Sequence, residues 1–215
     1  MNKRPVSVSG PCYIGTVDTH PHNESLSAEL EDFLEKGEGK TLHPLVKASW
    51  HISNHNLYKA HRYIRGVQER PWAMWLHSIL HRLEGDMINT KCWIYDIDLP
   101  EFIEFWKSKE LAYKFIDRSS LCRGWSPEKI CQSVEQTSGD GAKVKEIKSY
   151  YNIDELKVVK DSIDVKDVIE EGDKELDFIL KGLKEKYPGS NWDDVEEFDH
   201  TEEEIEEMDK QERNF

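Results

Sequence analysis

The chain has 215 residues, 33% of them charged and 37% hydrophobic, with 43 Asp and Glu against 29 Lys and Arg and a formal net charge of −14. That balance alone points to disorder, yet seven Trp, eight Tyr and seven Phe supply the large buried rings that disordered chains lack. No apolar run approaches the eighteen residues of a membrane span, and so acidic a chain makes nucleic acid an unfavourable partner.

The charge is unevenly placed. Residues 1–42 sum to −3, 43–125 to +3, 126–188 to −4 and 189–215 to −10, and the slightly basic segment holds six of the seven Trp and six of the nine His. This division predicts a flexible N-terminal arm over 1–24 and a helical domain over 25–188 with its core block at 43–125. An acidic disordered tail over 189–215 follows, because like charges keep a segment extended. The opening residues lack the apolar stretch of a secretory leader and the four cysteines form no Cys-x-x-Cys pair. The expected location is therefore a reducing one, the cytoplasm, with the nucleus also compatible.

In chain order, Ser25 caps a short helix that Gly37-Glu38-Gly39 ends. Pro44 suits the first turn of a helix to about Asn54, and Asn56 caps another that reaches Glu69 before Arg70-Pro71 breaks it. A third helix runs from Trp72 to Glu84, where Gly85 offers a left-handed stop and Asp86 the next cap. Helices follow over Met87–Tyr95 and from Pro100 through Asp117. Ser126-Pro127 opens a short one, Gln136 to Gly141 forms a loop, and helix resumes from Ala142. Asn152 and Glu155 spell a capping box, and an amphipathic closing helix covers 164–187, interrupted or bent near Gly172. The predicted fold is all-α, a bundle of antiparallel helical hairpins.

Shifted by 30 residues, the central block matches itself: Ala48 with Ser78, His51 with His81, Asn56 with Asp86, Leu57 with Met87, Ala60 with Thr90, Tyr63 with Trp93 and Ile64 with Ile94. Small residues at helix crossings, a polar cap between helices and a large apolar residue late in the second resemble a tetratricopeptide repeat over residues 44–100. Gly85-Asp86 stands at that family's inter-helix turn, and Ala60 and Thr90 at its small second-helix position. The offset of 30 is shorter than that family's, and histidine stands where tyrosine is usual. The run from Leu42-His43-Pro44 through Leu76-His77-Ser78-Ile79-Leu80-His81-Arg82-Leu83-Glu84-Gly85-Asp86 also resembles a group of uncharacterised fungal and bacterial proteins. That resemblance implies that the histidine-rich segment defines the group, and implies no activity.

Two functions are expected from different classes. The first is a non-catalytic interaction or adaptor module without a cofactor, whose groove over 43–125 takes the acidic or carboxylate-terminal groups of a protein or peptide. Lys47, Lys59, Arg62, Arg65 and Arg82 would line it, and His77, Arg82 and Asp86 would read a ligand there. The tail, in which Trp192, Val195, Phe198, Ile205, Met208 and Phe215 are spaced among acids, would dock on a basic, partly hydrophobic surface, either a partner's or the chain's own core block. The second is a metal-dependent enzyme, a hydrolase or oxygenase type using zinc or iron. His51 with His55 and His77 with His81 are four apart, Glu84 lies three further on, and residues at that spacing share a helix face and can chelate one ion. Equally, these histidines can fill aromatic packing slots and bond to carboxylates or backbone. No nucleophile elbow or phosphate-cradling loop is present, and Cys92 and Cys122 make no case for a thiol nucleophile.

Overall fold

The computed structural model describes residues 24–132, 134–137, 144–147, 149–188 and 200–212. The arm over 1–23, the residues between 189 and 199, and Phe215 lie outside them. Helix α1 (Glu24–Glu31) leads through a π turn (Asp32–Lys36) and a 3-10 turn (Glu38–Thr41) to α2 (Pro44–Ser53) and α3 (Leu57–Arg65). Helices α4 (Pro71–Glu84), α5 (Met87–Asp96), α6 (Pro100–Trp106), α7 (Lys109–Cys122) and α8 (Pro127–Cys131) follow. After the strands β1 (Val134–Thr137) and β2 (Val144–Ile147) come α9 (Ile153–Ser162), α10 (Val165–Lys186) and α11 (Glu202–Glu212). No described helix is long and apolar enough to cross a membrane.

The helix starts are set by local chemistry. His43, Asn56, Asp86, Ser108, Ser126 and Asn152 each accept a backbone N–H of the first turn they precede. An accepting cap needs a bare ring nitrogen, which a protonated His43 could not offer. Burial, helped by Arg70 and Lys186, lowers the His43 pKa to about 4 and keeps the imidazole neutral, and the ring stacks on Tyr187 with centroids 3.7 Å apart.

Hairpins α2–α3 and α4–α5 are built alike. The Asn56 N–H donates to the His51 carbonyl at 2.9 Å, as the Asp86 N–H does to that of His81, also at 2.9 Å. Ala48, Ala60 and Ile64 are as deeply buried as Ser78, Thr90 and Ile94. The equivalence explains a departure from the expected helix. His55 occupies the place of Gly85, and both take the left-handed conformation, φ 55° and 88°, that turns the chain between helices. His55 therefore lies beyond the end of α2 and cannot share a helix face with His51.

The core joins both hairpins to α6, α7 and α10. Trp50, Trp75, Phe102 and Phe115 are fully buried, and Val168, Leu176, Ile179, Leu180 and Leu183 supply the inward stripe of α10. That helix packs on α2 and α7 and stays continuous through the buried Gly172, without the expected interruption. Gly182 lets it come close to α4, since a Cβ there would meet the Trp72 ring at 2.4 Å.

Three further expectations are corrected. The helix expected to run through Asp117 breaks at Lys107, whose φ of 66° ends α6, and Ser108 restarts α7. In place of the helix expected from Ala142, residues 144–147 form a strand paired antiparallel with 134–137, Val134 opposite Ile147 and Thr137 opposite Val144. Gln136 and Thr137 of the expected loop belong to that pair, residues 138–143 lie outside the described residues, and among the described residues the regular structure is otherwise helical. Val134, Thr137, Val144 and Ile147 are β-branched, and four-residue runs cannot hold a helix against that preference. Part of the tail expected to be disordered is α11, which Thr201 and Glu204 open with a reciprocal capping box: the Thr201 N–H donates to Glu204 Oε2 at 2.7 Å, and the Glu204 N–H to Thr201 Oγ1 at 3.3 Å.

Candidate functional site

The basic residues expected to line one groove fall into two sets. Lys47, Arg65 and Arg82 are buried and do not line an open surface. Lys47 Nζ donates to the Leu34 carbonyl at 3.1 Å, because only its aliphatic stem fits the packed interior of α2 and its ammonium must find an oxygen there. Arg82 donates to Glu175 at 2.6 Å. Asp86, offered as a ligand reader, spends Oδ1 on the N–H of Asn89 as the α5 cap. Lys59 and Arg62 remain on the accessible face of α3. Lys59 lies 3.9 Å from Glu31, and Arg62 donates to Glu202 of α11 at 2.6 Å.

The acidic tail helix thus rests on the core block. A second contact joins the ends of the two elements, Gln68 Nε2 to His200 Nε2 at 2.8 Å, and Ile205, on α11, is 4% exposed. The Arg62–Glu202 pair is surface-exposed, with Glu202 at 79%, so it adds only about 0.2–1 kcal/mol.

A second constellation lies inside the hairpins. His77 and His81, four apart on α4, stack with centroids 4.7 Å apart, and His61 of α3 meets both edge-on at 4.7 and 5.4 Å. One ring nitrogen of each lies within 4.8 Å of the others, and His61 Nε2 and His77 Nε2 are 2.7 Å apart. Trp93 of α5 stacks on His77 at 4.0 Å. His81 Nδ1 donates to Glu84 Oε2 at 2.8 Å, and the Asn89 amide donates to His81 Nε2 at 3.2 Å. Burial first, then the Arg65 charge and the neighbouring imidazoles, holds His61 and His77 well below the ordinary histidine pKa, so both are neutral at neutral pH.

Of the five residues expected to ligate metal, His77 and His81 come together with Glu84 against His81. His51 and His55 do not join them. His51 is buried against Tyr63, rings stacked at 5.7 Å, and His55 is the turn residue already described. The missing member is His61. It has no histidine four residues away on its own helix, so pairing along one helix misses it. Its signal was its place on the apolar stripe of Leu57, Ala60 and Ile64, where a histidine is out of character.

Thiol chemistry gains no support from Cys122 or Cys131, whose burial raises their pKa, opposite to the lowering a reactive thiolate needs. No protein-family model, curated protein or solved structure matches the chain.

Proposed function

We propose that this protein is a non-catalytic interaction module whose α2–α5 block, a tetratricopeptide-like pair of hairpins, receives an acidic amphipathic helix of a protein partner on the outer face of α3. The supporting observation is that the chain's own acidic helix already meets this block, with Glu202 on Arg62 and His200 on Gln68, and carries a buried apolar residue, Ile205. A partner helix pairing a carboxylate with Arg62 and an apolar residue in the place of Ile205 would use the same chemistry. The tail is then a competitor in cis. An exposed ion pair and one buried aliphatic side chain make the closed form easy to displace, as a competitor must be.

Charge reversal tests this. Arg62→Glu is expected to loosen the tail, seen as about a two- to fivefold loss of amide protection in α11, the equivalent of an exposed ion pair. Adding Glu202→Arg is expected to restore protection. Equal exchange rates in all three proteins would contradict the reading.

A further inference from the structure

We propose that His61, His77 and His81 bind one divalent zinc-class ion inside the α3–α4 hairpin, a site independent of the tail and of any partner surface.

The donor set fits the metal. Three neutral imidazoles are borderline ligands suited to zinc, copper or nickel rather than to magnesium or calcium, which take oxygen.

The geometry fits as well. Two nitrogens at about 2.0–2.1 Å from a tetrahedral zinc stand about 3.3 Å apart. The observed separations, 2.7 Å for His61 and His77 and none above 4.8 Å, bracket that edge.

Without an ion the cluster is costly. His61 Nε2 and His77 Nε2 face each other at 2.7 Å, so without an ion one must donate and the other accept. Packing alone gives no reason to gather three imidazoles around such a point, whereas an ion uses all three lone pairs.

The surroundings are those of a metal ligand. Glu84 accepts from His81 Nδ1, which fixes the tautomer and puts the lone pair on Nε2, where an ion would replace the long contact from the Asn89 amide; this is the carboxylate–histidine arrangement that orients metal-bound rings. Trp93 holds His77 flat. Glu84 and Asn89 are only half-buried, so the cluster approaches the surface on their side.

The test uses the full-length chain without a purification tag. The chain is stripped with chelator, loaded with zinc chloride, gel-filtered and assayed for bound metal, with cobalt(II) as a spectroscopic stand-in. The parent is expected to keep about one zinc per chain and to give the intense visible bands of tetrahedral cobalt. Glu84→Gln is expected to weaken binding about 10–100-fold. His77→Gln and His61→Gln should abolish it, with circular dichroism checking that each variant is folded. Should a histidine variant fail to fold, Glu84→Gln, a half-exposed change, still decides by its affinity. No retained zinc in the parent, octahedral cobalt spectra, or unchanged affinity in Glu84→Gln would overturn the proposal.

Discussion

Glu175→Gln is expected to lower the unfolding free energy by about 3–5 kcal/mol, measured by chemical denaturation. Glu175 is 2% exposed and every bond it makes crosses the core. Its Oε1 accepts the indole N–H groups of Trp75 at 2.6 Å and Trp106 at 3.1 Å, and Oε2 accepts Arg82 at 2.6 Å. One carboxylate thus ties α10 to α4 and α6. Glutamine keeps the volume and one accepting oxygen but removes the carboxylate charge that faces the buried Arg82 guanidinium at 2.6 Å, and breaking one side of a buried pair costs more than the pair contributes. Removing both charges together, Arg82→Met with Glu175→Leu, should cost less than the sum of the single changes, because neither partner is then stranded. A loss below about 1 kcal/mol for Glu175→Gln would show that Arg82 reaches water, and would contradict the packing of α10 described above.

Asp117→Ala is expected to cost a comparable amount, about 3–5 kcal/mol by the same measurement. Lys91 donates to Asp117 Oδ1 at 2.6 Å, with side-chain exposures of 7% and 0%. Ser149 donates to the other oxygen at 2.7 Å, and the Tyr113 hydroxyl closes over the Lys91 carbonyl at 3.0 Å. The alanine removes the buried anion opposite the Lys91 ammonium and the carboxylate acceptor of Ser149 at once. The exposed pair Lys36–Asp32, at 80% and 74%, is the control: breaking it should change stability by less than about 0.5 kcal/mol. Equal effects at the two sites would mean that Asp117 is not desolvated.

What was legible in the sequence is what depends on neighbours in the chain. The caps at Asn56, Asp86, Ser126 and Asn152 and the stop at Gly85 act within a turn or two, and each is found where its residues put it. The partners of Glu175 lie 69 to 100 positions away, and no local pattern carries that information. Its sign was present in another form: between Gly172 and Ile179 it falls on the inward stripe of α10, where a carboxylate demands a buried cation. His61 carries the same kind of sign on α3. The break at Lys107 had none, because a lysine in the left-handed region is imposed by packing rather than by its own preference. For α11, the capping box at Thr201 and Glu204 was readable, but the charge density of the tail argued for disorder. The two conflict unless the apolar Ile205 finds cover, which only the fold provides.

The central claim, that the outer face of α3 takes an acidic amphipathic helix, is tested most directly by a labelled peptide of residues 200–215 added in trans, its binding followed by fluorescence anisotropy. A chain ending at Pro188 should bind the peptide, Arg62→Glu in that chain should weaken binding, and the full-length chain should bind more weakly because its own helix holds the site. No binding to the truncated, folded chain, or equal binding to both chains, would contradict the claim.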